Sequence, residues 1–166
     1  MTLRRALATA ILLFPLAGCH RVHAPASVIH MGDPAAAGQL VSGFYGIEGQ
    51  GENAWRWTGP DFELALAPPA GSERGARLLV RLYFPETQIR KLGPITLTAT
   101  IDGEPLKSET FSAGGSQDFV RHVPACFLNT SVLPISFSFD PYAPKTSADG
   151  RDLGAVVTAA ELEPER

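Results

Sequence analysis

Two polar–aromatic clusters, far apart in the chain, hold the side chains best equipped for chemistry. The first is Gly43-Phe44-Tyr45-Gly46-Ile47-Glu48 with Trp55-Arg56-Trp57-Thr58, and the second is Asp149-Gly150-Arg151-Asp152-Leu153-Gly154. Arginine and carboxylate pair through parallel N–H···O bonds. Glu48, Arg56, Asp149 and Arg151 are therefore expected to form structural ion pairs that fasten the first strands to the end of the chain. Large amphipathic rings beside polar groups suit the recognition of a sugar, with an aromatic platform below and a few groups fixing the hydroxyls. Tyr45, Glu48, Trp55 and Trp57 are the candidates for that role, and Tyr83 and Tyr142 are further rings of the same kind. Two carboxylates facing across a cleft can hydrolyse a glycosidic bond, which brings in Glu48 with Asp149 or Asp152. Ser116, Asp118 and His122 contain the residue types of a hydrolytic triad, although Ser116 is expected to lie in the flexible Gly114-Gly115 turn. No Gly-x-Ser-x-Gly, phosphate loop or metal-ligand spacing accompanies them. The expectation is a protein without catalytic residues, metal or cofactor.

The elements that must position these residues are strands. Phe62, Leu64 and Leu66 alternate with Glu63 and Ala65. Leu78, Val80, Leu82 and Phe84 alternate with Leu79, Arg81 and Tyr83. Ile95, Leu97, Ala99 and Ile101 alternate with threonines, and Ile135, Phe137 and Phe139 with serines. A period of two gives each strand one core face and one wetter face. Asp102-Gly103 predicts a tight hairpin into residues 104–107. Gly 16 and Pro 14 in 166 residues favour turns over long helices, and no window after the leader carries a helical period. The fold class is all-β: one antiparallel β-sandwich, jelly-roll-like, over residues 39–166. Trp55 and Trp57 share one strand face, where tryptophan most often fills a core; Arg56 lies on the other face. Sugar binding gains if either ring is exposed on a concave face beside Glu48 or Arg56, and loses if both lie between the sheets. Edges at 77–84 and 155–162 would allow pairing with a partner's strand, the alternative of a structural component in an envelope complex.

The layout Gly43-x-Tyr45-x-x-Glu48, then Arg56-Trp57-Thr58, then alternating strands and a hairpin, and last Asp149-x-Arg151-x-Leu153-Gly154 before a final strand, resembles a family of small bacterial β-sandwich modules. These modules occur alongside glycosyltransferases and in cell-surface proteins. The resemblance implies a fold and a cell-surface setting more than an activity.

The amino terminus has Arg4 and Arg5, an apolar run, and then Leu16-Ala17-Gly18-Cys19. This is the order of a secretory signal peptide, and its last four residues resemble the bacterial lipoprotein lipobox. The resemblance implies cleavage after Gly18 and a lipid on the Cys19 thiol. The apolar stretch from Ala6 is about 13 residues, short of the about 20 that span a bilayer. By the same family's sorting habit, His20 in place of an aspartate implies the outer membrane of the cell envelope in an organism with two membranes, and the outer face of the plasma membrane in an organism with one. The domains are then a leader over 1–18, a lipidated cysteine and flexible tether over 19–38, and the sandwich. His20, His23 and His30 lack acidic or cysteine partners at ligand spacing and belong to that tether. Cys126, in an apolar stretch, is expected to be a buried small hydrophobe.

Loss of residues 1–18 removes two arginines and no acid, so the net charge moves from −3 to −5. That balance argues against nucleic acid as a partner. The expected partners are the membrane, through the lipid, and a glycan or an envelope protein.

Overall fold

The computed structural model describes residues 24–165. The leader, Cys19, His20 and His23 lie outside the described residues. Among the described residues ten strands follow in chain order: β1 (Val28–His30), β2 (Leu40–Glu48), β3 (Trp55–Leu66), β4 (Ala76–Phe84), β5 (Ile95–Ile101), β6 (Glu104–Pro105), β7 (Glu109–Phe111), β8 (Gly115–Val123), β9 (Leu133–Asp140) and β10 (Val156–Pro164). One short helix, α1 (Glu86–Leu92), separates β4 from β5. The pairing is antiparallel throughout and runs β6-β5-β9-β3-β10-β4-β8, with β1 on β10, β2 on β3 and β7 on β5.

The sheet curls into a sandwich because β3 belongs to both layers. Its first residues pair with β10, Arg56 opposite Val157 and Trp57 opposite Val156. Past Gly59-Pro60, residues Asp61 to Leu66 pair with β9. The even positions Thr58, Phe62, Leu64 and Leu66 are buried, whereas Asp61 is exposed and Trp55, Trp57 and Glu63 are half-buried. Phe62 stacks on Phe137 with centroids 4.6 Å apart, and Phe84 meets Phe139 edge-on at 5.9 Å. Leu78, Val80 and Leu82 of β4, Ile95 to Ile101 of β5 and Phe119 of β8 complete the core. Each such fully buried side chain contributes about 1.5–3 kcal/mol. The Asp102-Gly103 hairpin forms with both residues at positive φ, 51° and 82°, which suits a two-residue turn following the sheet twist.

The tether boundary at residue 38 is corrected. From Ala26 onward the chain is built into the domain. Ala26 N–H donates to Gln39 Oε1 (2.9 Å), and the buried Gln39 amide donates to the carbonyls of Ala26 (2.8 Å) and Ala65 (2.7 Å). Ile29 and Met31 enter the core, as does Ala36 from the 3-10 helix Pro34–Gln39. A three-residue strand is too short to show a period of two, and so it escapes sequence analysis. His30 sits on β1, not on a tether.

Two further expectations are corrected. The strands 77–84 and 155–162 are not edges: β4 lies between β10 and β8, and β10 is flanked by β4 on one side and β1 and β3 on the other. Cys126 is exposed, because the 3-10 turn Ala125–Leu128 sends Leu128 inward and leaves the thiol outside.

Candidate functional site

Register across four strands assembles a site from residues far apart in sequence. Trp57 stands opposite Val156, Val156 opposite Tyr83, and Tyr83 opposite Ser116. A second row lies beside it, with Trp55 on β3, Thr158 at an irregularity of β10, Arg81 on β4 and Asp118 opposite Arg81 on β8. All are on the outer face of the sheet. With Glu48, Leu82 and Pro85 they line a groove of about 490 Å³, within the range of small-ligand sites. Three inter-strand spacings give it a length of about 14 Å.

The tryptophans therefore do not fill the core. Both are half-buried, and the reason is parity: counted back from Phe62 through Gly59-Pro60, odd positions of β3 point away from the core. Tyr83, 42% exposed, adds a third ring whose face is open. The Trp55 ring is backed by Gly49. A Cβ on that glycine, whose φ is +78°, would stand 2.6 Å from Trp55 Cζ3.

The ion-pair network lies at one end of this groove. Arg151 donates from Nη1 to Glu48 Oε1 (2.8 Å), from Nε to Asp149 Oδ1 (2.9 Å) and from Nη2 to Asp149 Oδ2 (2.9 Å). Hydrogen bonds to Asp149 first, and to Glu48 second, raise the Arg151 pKa above its usual value. The same bonds hold the Asp149 carboxyl below the usual carboxylate range. The Arg151 guanidinium also lies 5.3 Å from the Tyr45 ring centre, and Tyr45 Oη donates to the Asp152 carbonyl (2.9 Å). Tyr45 thus belongs to the network rather than to the groove.

Arg56 departs from its expected ion pairing. Its guanidinium donates to the carbonyls of Tyr45 (2.9 Å) and Met31 (3.2 Å). It stands on the core-facing side of β3, where main-chain acceptors at the end of the sandwich lie within reach. Gly154 permits a close approach: its N–H donates to Thr58 O (2.9 Å), and a Cβ there would lie 2.4 Å from Gly59 O.

Two of the hydrolytic arrangements do not assemble among the described residues. Glu48 and Asp149 are both taken up by Arg151. Ser116 is on β8 rather than in a turn, opposite Tyr83. Asp118 and His122 are four residues apart on the same strand, about 13 Å, and His122 Nδ1 is bonded to Glu165 Oε1 at 2.7 Å. Sequence analysis missed Arg81, Ser116, Asp118, Val156 and Thr158 as groove residues. The spacing of two between Arg81 and Tyr83, and between Ser116 and Asp118, which puts each pair on one strand face, was the available signal.

These features define an antiparallel β-sandwich module with an aromatic groove on its sheet face. Solved structures share the fold. A family 35 carbohydrate-binding module from Clostridium thermocellum superposes with a TM-score of 0.48 at 14% identity, covering 82% of this chain and 97% of that chain. A carbohydrate-binding module from Clostridium stercorarium, in complex with cellobiose, gives 0.46 at 12% identity, covering 84% and 95%. A family GH115 4-O-methyl-α-glucuronidase with specificity for decorated arabinogalactans gives 0.50 at 12% identity, covering 98% of this chain and 20% of that one. No family model and no curated protein matches the sequence.

Proposed function

We propose that this chain is a non-catalytic, lipid-anchored protein of the bacterial cell envelope, at the outer membrane, whose sheet-face groove binds carbohydrate. One observation carries the reading: Trp55, Trp57 and Tyr83 line a single groove whose polar members are Glu48, Arg81, Ser116, Asp118 and Thr158. Aromatic faces cover the apolar face of a sugar ring, and the surrounding oxygens and guanidinium meet its hydroxyls. The non-catalytic part is supported by the spacing of the two groove carboxylates. Glu48 is opposite Trp55 on β2, and Asp118 is on β8, four strand spacings or about 19 Å along the sheet. Paired glycosidase carboxylates stand about 5–9.5 Å apart.

The anchor rests on the motif Leu16-Ala17-Gly18-Cys19. The chain enters the sandwich where Ala67 N–H donates to Ala26 O (3.0 Å) and Leu162 N–H donates to Ser27 O (2.7 Å). The groove is at the other end of β10, four to six residues or about 13–20 Å away along that strand.

The test is a glycan array together with pull-down on insoluble polysaccharides. Retention by at least one glycan, abolished in Trp57→Ala with an unchanged circular dichroism spectrum, is the expected result. Retention unaltered in Trp55→Ala and Trp57→Ala would remove the groove from the account.

A further inference from the structure

Three charged side chains line the groove: Glu48, Arg81 and Asp118. Two of them are already neutralised. Glu48 accepts from Arg151 (2.8 Å), and Arg81 Nη2 donates to Glu161 Oε1 (3.0 Å), whose side chain is nearly buried. Asp118 differs. It is exposed on β8, and among the described residues it makes no hydrogen bond or ion pair, although Arg81 stands opposite it in register.

An ionised carboxylate only accepts hydrogen bonds, and each oxygen takes its own donor. Neighbouring hydroxyls on one sugar ring supply two donors at suitable spacing. The ring stacked on Tyr83 is the one within reach, because Ser116, opposite Tyr83, is two residues from Asp118 on the same strand face. A carboxylate, sulfate or phosphate on the ligand would meet like charge there. The nearby cations are already engaged: Arg77, which feels the Asp118 charge, pairs with Glu163, Arg81 with Glu161, and Arg151 with Glu48 and Asp149.

We propose that the groove selects uncharged glycans, with Asp118 as the specificity-determining residue that accepts hydrogen bonds from adjacent hydroxyls of the sugar on Tyr83. This rests on the carbohydrate-binding reading of the groove and gives it a ligand class.

The experiment is calorimetric titration of the protein at fixed salt with cellohexaose, xylohexaose and mannohexaose as uncharged probes, hexagalacturonate as the anionic probe and hexaglucosamine as the cationic one. At least one uncharged probe is expected to bind about ten-fold or more tightly than hexagalacturonate. Asp118→Asn should weaken that probe about ten-fold, and Asp118→Lys should narrow or reverse the preference over hexagalacturonate. Tighter binding of hexagalacturonate or hexaglucosamine than of every uncharged probe overturns the proposal and leaves the groove reading standing. So does wild-type affinity in Asp118→Asn. No binding by any probe removes the proposal and leaves the groove reading to the glycan array.

Discussion

Arg151 donates from Nη1 to Glu48 Oε1 over 2.8 Å, joining residues 103 positions apart in the chain. The bond ties the end of β2 to the loop that leads into β10. Gly49, next to Glu48, lies against the Trp55 ring. The ion pair therefore holds the backbone on which one wall of the groove rests.

Arg151→Met should lower stability by about 1–2 kcal/mol, since it removes charge-assisted hydrogen bonds at a partly exposed site. Glu48 would be left without its cation and the Trp55 wall without its brace. Denaturant unfolding followed by tryptophan emission checks both effects: a lower midpoint and a red-shifted native spectrum. A native spectrum unchanged from wild type would separate the clamp from the groove.

The same network has a pH dependence of defined sign. The folded-state pKa of Asp149 is depressed, chiefly by hydrogen bonds from Arg151. Its contribution to stability is complete above the unfolded carboxyl value of about 3.9 and is lost as pH falls through its lower folded value. The stability difference between wild type and Asp149→Asn should be constant near neutrality and shrink below about pH 4. Thermal unfolding of both proteins across that range measures it.

Two glycines of positive φ separate a backbone effect from a ring effect. Gly49→Ala places a Cβ 2.6 Å from both the Trp55 ring and the Asn53 carbonyl oxygen, whereas Gly51, at φ +59°, has nothing within 4 Å. Each substitution costs about 1–2 kcal/mol in backbone conformation. Only Gly49→Ala should also weaken glycan binding, measured by calorimetry at a temperature where both variants are folded.

The sandwich was legible wherever alternation ran long enough, as in β4, β5 and β9, whose apolar positions are the buried ones. It was not legible in β1, where three residues show no period, nor in α1, which is seven residues long. The side on which Trp55 and Trp57 fall was present in the parity of β3, but it had to be carried across Gly59-Pro60 from Phe62. The remainder of the groove was hidden for a different reason. Tyr83, Ser116, Asp118 and Val156 come together only through strand order and register, and neither is written in any one segment. Arg56 looked like an ion-pair partner by type, and its place on the core side gives it carbonyls instead.

The most direct measurement of the groove account is titration of the isotopically labelled protein with cellohexaose, xylohexaose and mannohexaose, followed by the indole Nε1–H resonances of Trp55 and Trp57. The account predicts saturable shifts of both indole signals with one of these probes, lost in Trp55→Ala and Trp57→Ala, and no shifts among the threonines of β5 on the opposite layer. Binding that leaves both indole signals in place would contradict it.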